Sequence, residues 1–336
     1  MNIIFRVDSS SKIGTGHLMR CLVLAEKLKD RNCNIIFICK NYNGNISDII
    51  VNKGFKLYLI EQECCDYKEV RNIIIKLNKQ IDWLIIDNYN LDLEFEIHMK
   101  NIIKKIMVID DFANRYYFCN MLLNQNLYNN PVGKYKLMVP HNCKMFLGLE
   151  YLLLRDEFKN IKREIKHYSI RNILVSFGGT DNENETTKVL EGLRPLQNIN
   201  INVVVGSSNI NKYTIKYLCY KYNYNYLEQI NNMAELINKS DLAIGAGGIS
   251  LWERCYLGLP SIVSILADNQ KDGVEISDKL GCIVNLSWYG NVKSEDYYNA
   301  ILNLTSDKLK NMSSNCFKLF NEDKVGELVD CICENR

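Results

Sequence analysis

The stretch LAIGAGGISLWER, residues Leu242–Arg254, decides the fold class because it joins an apolar run, a glycine turn and a helical pattern. Leu242–Ile244 predicts a buried strand, and a helix is predicted to begin at Ile249. Glycines let the backbone approach a ligand closely, and a helix N-terminus presents N–H groups and the positive end of its dipole. The stretch therefore predicts a parallel α/β domain that binds a diphosphate without a metal.

The candidate binding residues of this stretch are Gly247, Gly248, Ile249 and Ser250, with Glu253 one helical turn further on. A carboxylate there can accept two hydrogen bonds from a ribose diol, as acidic residues do in nucleotide-binding folds. The structural alternative is that the two glycines only make a tight turn and that Glu253 only favours a helix N-terminus.

A second glycine loop lies near the start of the chain, where a strand at Ile3–Val7 leads through Asp8 to Gly14-Thr15-Gly16-His17. It is neither a dinucleotide fingerprint nor a P-loop, because the third glycine and the Gly-Lys-Ser/Thr sequence are missing. A histidine at a helix N-terminus tends to be neutral and can act as a general base. A helix-capping or core histidine is the alternative.

Further candidates are the carboxylates at the ends of the predicted strands, Asp8, Asp87, Asp110 and Asp111, because ligands bind at the carboxyl ends of open α/β sheets. Asp8 can either orient His17 or brace its loop, and adjacent Asp110 and Asp111 are not expected to act as one acid–base pair. Tyr89, just beyond Asp87, can offer a hydroxyl to a substrate.

A third glycine turn, Gly178-Gly179, follows a predicted strand in the second half of the chain. Its backbone donors are expected near the phosphates.

Composition narrows the functional class. The chain has 336 residues, 47% hydrophobic and 24% charged, with a net charge of +2. These values fit two soluble domains and give no reason to expect nucleic acid or an anionic membrane as a partner. No signal peptide or membrane-spanning window is recognised, so a cytoplasmic location is expected, and the oligomeric state stays open, a monomer being one option.

The thirteen cysteines are odd in number and scattered. Reduced, buried thiols are expected, because the spacing matches no zinc motif. Neither a metal nor another cofactor is predicted.

Strands and helices are predicted to alternate in both halves. The fold expected is α/β and GT-B-like, with two Rossmann-like parallel-sheet domains facing a central cleft. The first domain is placed at 1–155 and the second at 156–310, with a linker in 151–171. A helical segment at 311–336 is expected to pack back on the first domain. The predicted strands are Ile3–Val7, Ile35–Cys39, Leu57–Ile60, Trp83–Asp87, Met107–Asp110, Met121–Leu123, Asn172–Phe177, Asn202–Val205, Leu242–Ile244 and Ser261–Val263.

Taken together, these motifs resemble the nucleotide-sugar hydrolases of pseudaminic acid biosynthesis, which act on a UDP-2,4-diacetamido-2,4,6-trideoxy-β-L-altropyranose. The resemblance runs almost from end to end, and its motifs are Arg6-x-Asp8, Gly14–Cys21, Ile109–Asp111, Leu122–Asn126, Leu152–Phe158, Ser176–Asp181, Gly247–Arg254 and Asn269-Gln270. It departs from the family at Asn88, where the family often has Ser before Tyr, and after Asn285.

The resemblance implies a GT-B enzyme related to the N-acetylglucosaminyltransferase of lipid II synthesis, acting in nonulosonic acid synthesis for flagellin glycosylation. It implies that the second domain holds UDP with Glu253 on the ribose, and that His17 is the central catalytic group. Tyr89 and Asn269 match positions near the sugar, and Gln270 belongs to the same motif.

The expected reaction is metal-independent attack of water at the anomeric carbon, with inversion and cleavage of the sugar C–O bond. Two alternatives stay open. One is a GT-B glycosyltransferase that uses an acceptor hydroxyl instead of water, and the other is a non-catalytic nucleotide-sugar-binding protein.

Overall fold

The computed structural model describes residues 1–162 and 169–334. The chain divides into two compact units, of which unit 1 comprises Met1–Leu153 with Glu322–Arg336 and unit 2 comprises Leu154–Asn321. The domain boundaries expected from the sequence are at 155 and 310. Residues 163–168, part of the expected linker, lie outside the described residues.

Unit 1 is built on a seven-stranded parallel sheet in the order β3-β2-β1-β4-β5-β6-β7. Its strands are β1 (Asn2–Val7), β2 (Asn34–Lys40), β3 (Lys56–Ile60), β4 (Ile81–Asp87), β5 (Ile103–Ile109), β6 (Met121–Asn124) and β7 (Lys144–Leu147). Its helices are α1 (Gly16–Asp30), α2 (Asp48–Asn52), α3 (Asp66–Leu77), α4 (Leu93–Met99), α5 (Pro131–Tyr135), a 3-10 turn at Leu149–Tyr151, and α14 (Val325–Cys333).

Unit 2 is built on a six-stranded parallel sheet in the order β10-β9-β8-β11-β12-β13. Its strands are β8 (Asn172–Ser176), β9 (Asn200–Val205), β10 (Asn225–Glu228), β11 (Leu242–Ala246), β12 (Ser261–Ile265) and β13 (Ile283–Trp288). Its helices are α6 (Asp156–Lys159), α7 (Glu185–Gly192), α8 (Lys212–Tyr222), α9 (Met233–Lys239), α10 (Ile249–Tyr256), α11 (Asp268–Lys279), a 3-10 turn at Tyr289–Asn291, α12 (Ser294–Leu302) and α13 (Ser306–Lys318).

The central strands are buried on both faces, which is why their sequences are largely continuous apolar runs; these strands are β1, β2, β4, β8, β11 and β12. In β1, Ile3 and Phe5 join one core cluster while Ile4 joins another, as the two-residue period of a strand requires. Both units therefore have the doubly wound architecture that was expected from the sequence.

Strand β5 was missed in part because lysines interrupt its apolar pattern. The sequence from Leu93 to Lys104 has a helical pattern, but α4 ends at Met99 and β5 begins at Ile103. The Lys104 ammonium lies 2.7 Å from a carboxylate oxygen of Asp82, and the Lys105 ammonium lies over the Trp83 ring, 5.4 Å from its centroid. Tertiary pairing with β4 thus outweighs the local helical preference.

The helical segment expected at 311–336 contains the end of α13 and the whole of α14, which belong to different units. Helix α13 packs in unit 2, where Phe320 meets the Tyr256 ring edge-on at 5.5 Å. Helix α14 buries Leu328 and Ile332 in the core of unit 1, and the Trp83 indole N–H donates to the Ile332 carbonyl at 3.1 Å.

Candidate functional site

In each sheet, the strand order reverses direction at one point, and open α/β folds bind ligands there. The reversal lies between β1 and β4 in unit 1 and between β8 and β11 in unit 2. All of the glycine turns singled out from the sequence follow one of these four strands.

The loop after β1 places His17 in the first turn of α1. Gly14 has φ +85°, a left-handed conformation that favours glycine, and its N–H donates to the Ser10 carbonyl at 2.9 Å. Thr15 is the N-cap residue and Gly16 begins the helix. The predicted residues of this loop therefore shape the turn that positions His17.

His17 contacts a buried carboxylate at the end of β4. Its Nδ1 lies 2.7 Å from Oδ1 of Asp87, which is 1% exposed. Arg20 Nη2 also lies 3.1 Å from this nitrogen, but the carboxylate is closer and favours the tautomer that carries its proton on Nδ1 and leaves the lone pair on Nε2. The imidazole is thus arranged to accept a proton at Nε2.

Arg20, one helical turn after His17, holds Asp87 and Asp111 together. Its guanidinium donates to Asp87 at 2.6 and 2.7 Å and to Asp111 at 2.9 and 2.8 Å. Burial would raise the pKa of Asp87, but the charges of Arg20 and then His17 outweigh it, so that this pKa lies well below its usual value. Asp87 therefore stays ionised beside His17.

Tyr89 packs against the histidine. Its ring meets the His17 ring edge-on at a centroid distance of 4.5 Å, and its hydroxyl donates to Asp111. Burial of the hydroxyl and the Asp111 charge raise the pKa of Tyr89, so it is a neutral donor. The residue as a whole is 42% exposed, although its ring also packs against Phe112 at a centroid distance of 4.8 Å.

The two adjacent aspartates after β5 have separate partners, as expected. Asp111 also accepts from Asn126 at 2.7 Å, whereas Asp110 accepts from the Tyr135 hydroxyl at 2.6 Å and from the backbone of its own turn. Asp111 belongs to the charged network of Arg20, and Asp110 stabilises the loop.

Asp8 is bonded to groups other than His17. It accepts from Arg6 at 2.6 and 2.9 Å, from the Lys40 backbone N–H at 2.6 Å and from Asn88 at 2.6 Å. Of the two roles left open by the sequence, the structure supports bracing, and the orienting contact to His17 comes from Asp87.

In unit 2, one glutamine side chain fixes the glycine turn after β11. The Gln270 carboxamide oxygen accepts from the Gly247 N–H at 3.1 Å and from the Leu266 N–H at 3.0 Å. A Cβ on Gly247 would lie 2.2 Å from Cγ2 of Val274, so a side chain does not fit. Asn269 lies beside Gln270 in the first turn of α11.

Gly248 is the N-cap residue of α10, and Ile249 and Ser250 form its first turn. The first N–H groups of a helix have no acceptor within the helix, and the dipole favours an anion there. Buried Arg254 braces this turn by donating to the Ala246 carbonyl at 2.7 Å and to the Ser250 hydroxyl at 3.3 Å. This geometry suits a phosphate group at the start of α10.

Glu253 is held by a residue that the sequence analysis did not single out. Arg155 donates to one carboxylate oxygen of Glu253 at 3.2 and 3.0 Å. Burial raises the pKa of Glu253, and the Arg155 charge opposes that shift. Both residues belong to unit 2, so the carboxylate is oriented by its own unit.

The turn after β8 carries the remaining predicted glycines. Gly178 has φ +86°, and a Cβ on Gly206 would lie 2.1 Å from the Gly179 carbonyl oxygen. The loops after β8 and β9 thus touch through backbone atoms, which explains the glycines in both.

Two structural findings concern metals and membranes. Within residues 1–162 and 169–334, no group of three or more His, Cys, Asp or Glu side chains is arranged to hold a metal ion. In that same part of the chain, no helix has the length and apolar character required to cross a bilayer.

The chain is similar to several known proteins. Residues 172–327 match the model of the glycosyltransferase family 28 C-terminal domain. The chain is 31% identical over 246 residues to the UDP-2,4-diacetamido-2,4,6-trideoxy-β-L-altropyranose hydrolase of Campylobacter jejuni, covering 73% of this chain and 84% of that protein. The chain belongs to the GT-B family of nucleotide-sugar-processing proteins.

One further relative and one solved structure are similar to this GT-B protein. An uncharacterized protein of Methanocaldococcus jannaschii is 33% identical over 290 residues, which cover 81% of this chain but only 57% of that protein. The crystal structure of Acinetobacter baumannii MurG has a TM-score of 0.67 at 13% identity, with 99% of each chain covered. At that identity the likeness shows the shared fold alone.

Sequence reasoning missed Arg20 and Arg155 as site residues. Arg20 carried a usable signal, because residues i and i+3 of a helix share a face and His17 was already a candidate. Arg155 carried none, since its partner Glu253 lies 98 positions away in the sequence.

Proposed function

We propose that this GT-B protein hydrolyses a UDP-sugar by attack of water at the anomeric carbon. The observation that carries the proposal is the 2.7 Å contact between His17 Nδ1 and an Asp87 carboxylate that Arg20 keeps ionised. That contact prepares Nε2 as a general base.

In the proposed reaction, His17 is the proton acceptor and UDP is the leaving group. Nε2 of His17 takes a proton from water as the water oxygen bonds to C1 of the sugar, with inversion, and the C1–O bond to the diphosphate breaks. The electron pair of that bond leaves with UDP, a stable anion, so a strong general acid is unnecessary. The neighbouring Tyr89 hydroxyl and Asp111 lie where a sugar substituent can be bound, since their contact adjoins the His17 ring.

Unit 2 is proposed to hold the UDP moiety. The N-terminus of α10 and the turns at Gly178-Gly179 and Gly247-Gly248 would bind the diphosphate, and Glu253 would accept from the ribose hydroxyls. Arg155 bonds only one oxygen of Glu253, Oε1, through its Nε and Nη2 atoms, which leaves the carboxylate able to accept further hydrogen bonds. Asn269 and Gln270 are proposed to border the same site.

The substrate proposed is UDP-2,4-diacetamido-2,4,6-trideoxy-β-L-altropyranose, the compound named for the Campylobacter relative, and the pathway would be pseudaminic acid biosynthesis. The support is 31% identity over 84% of that protein. The competing function is a GT-B glycosyltransferase, which the match of residues 172–327 to the family 28 C-terminal domain favours.

The test is UDP release from a panel of UDP-sugars that includes this compound and UDP-GlcNAc, with EDTA present. We expect release from the altrose compound without any acceptor, and a loss of about 10²–10⁴-fold in His17→Ala, the range for general-base catalysis. His141→Ala, at an exposed loop histidine, is the matched control and should keep full activity.

Other outcomes would contradict the proposal. Turnover that appears only when an acceptor hydroxyl is added would establish the transferase, and tight binding of every sugar without turnover would establish a non-catalytic binding protein.

A further inference from the structure

Helix α8 of unit 2 is apolar on two opposite faces. Its inner face buries Ile215, Leu218 and Cys219 in the core. Its outer face presents Tyr213, Tyr217 and Tyr220, which are 77%, 61% and 86% exposed. A helix of a water-exposed surface is normally polar on its outer face.

The three tyrosines form one continuous stripe. Their spacing of four and three residues places them within about 60° around the helix axis and along about 10 Å of its length. Ile210, in the turn just before the helix, is 74% exposed and extends the apolar surface. We define residues 210–226 as the tyrosine stripe segment.

The charge of this segment has one sign. It contains Lys212, Lys216 and Lys221, and no Asp or Glu occurs between positions 210 and 226. An acid on β10 faces this segment: Glu228 lies 2.9 Å from the Lys212 ammonium. Lys216 and Lys221 lie over the rings of Tyr226 and Tyr222, at 5.7 and 5.5 Å from the centroids.

Tyrosine and lysine side chains on one helix favour a lipid surface over a protein as the binding partner. Tyrosine is enriched at both kinds of interface, because its ring is apolar and its hydroxyl is polar. Lysine is depleted from the cores of protein interfaces, whereas at a membrane its stem lies along apolar surface and its ammonium reaches the headgroups. Basic amphipathic helices with aromatic residues lie in the bilayer interface in this way.

We propose that the tyrosine stripe segment docks this protein onto the surface of an anionic membrane. The tyrosine rings enter the boundary between headgroups and acyl chains, and Lys216 and Lys221 contact the phosphates of anionic lipids. The docking is peripheral and reversible, and it uses none of the residues assigned to hydrolysis.

The test is sedimentation of the full chain with vesicles, comparing phosphatidylcholine alone with a mixture of phosphatidylcholine and phosphatidylglycerol. We expect binding to the mixed vesicles that weakens with added salt. In Lys216→Gln/Lys221→Gln, the partition coefficient should fall about 25-fold, because each lysine near an anionic surface contributes about fivefold.

A tyrosine variant tests whether the apolar rings contribute to membrane binding. Tyr213→Ser/Tyr217→Ser/Tyr220→Ser should lose binding to the mixed vesicles while keeping its melting temperature and UDP-sugar turnover. The matched control is Tyr116→Ser, which removes a tyrosine that is 67% exposed in unit 1 and should bind as the wild type does.

Three results would overturn the proposal. These are absence of wild-type binding to the mixed vesicles, equal binding to both vesicle types, and a loss in Tyr116→Ser as large as in the triple variant. A dimer of the free protein that the triple variant abolishes would instead assign the segment to contacts between copies of this chain.

Discussion

Asp87→Asn isolates the contribution of the carboxylate beside His17. The substitution keeps the size of the side chain and removes its charge. The amide can then turn its NH₂ group toward Nδ1, which would favour the tautomer with the proton on Nε2. That tautomer cannot accept a proton from water, so the turnover number should fall while UDP binding in unit 2 is unchanged.

The size of the effect follows from the contact that is lost. A hydrogen bond to a charged group contributes about 1.5–3 kcal/mol. At about 1.4 kcal/mol for each factor of ten, this corresponds to a decrease in kcat of about 10- to 150-fold. KM should change by less than about threefold, because the lost interaction acts in the reaction step and not in ground-state binding.

The assay is steady-state UDP release, with the melting temperature measured in parallel. Asp66→Asn is the matched control, because Asp66 is also a carboxylate of unit 1 paired with an arginine, Arg6, but its contacts are to Arg6 and Lys40. A kcat within twofold of the wild type in folded Asp87→Asn would refute the reasoning. An equal loss in Asp66→Asn would attribute the effect to structure alone.

Three further predictions concern other parts of the molecule. Gly247→Ala should lower the free energy of unfolding by about 1–3 kcal/mol in denaturant titrations, because its Cβ would lie 2.2 Å from Val274, whereas Gly326→Ala, with open space around it, should not. UDP affinity measured by calorimetry should fall as the pH is lowered through the pKa of Glu253, which burial raises above its usual value, and Glu253→Gln should bind weakly without this pH dependence. Trp83→Phe should cost about 1–3 kcal/mol of unfolding free energy, because it leaves a buried carbonyl of α14 without its donor, and an unchanged stability would show that α14 is held by apolar packing alone.

The sequence predicted the long apolar strands and the glycine turns because both depend on local residue chemistry. Ile3–Val7 and Leu242–Ile244 are buried on both faces, so no neighbouring residue had to be known. Strands β7, β10 and β13 were missed because they are short or polar, and their pairing with distant strands decides their conformation.

The residues of the candidate site also divide into those that nearby sequence predicts and those that only the fold brings together. His17 was found because its glycine loop and helix start lie within a few residues of it. The contact to Asp87 spans 70 positions, so only the fold reveals that Asp87 and not Asp8 orients the imidazole. The sequence therefore predicts which chemistry a single residue can perform, whereas the contacts between residues on different strands and helices are known only from the structure.

The most direct test of the proposed reaction is turnover of the UDP-altrose compound in water enriched in ¹⁸O, followed by mass spectrometry of the released UDP. If water attacks the anomeric carbon, the UDP is released without acceptor and carries no ¹⁸O. One ¹⁸O atom in the β-phosphate of UDP would show attack at phosphorus, and no turnover without an acceptor would show a transferase. Either result would contradict the role proposed for His17.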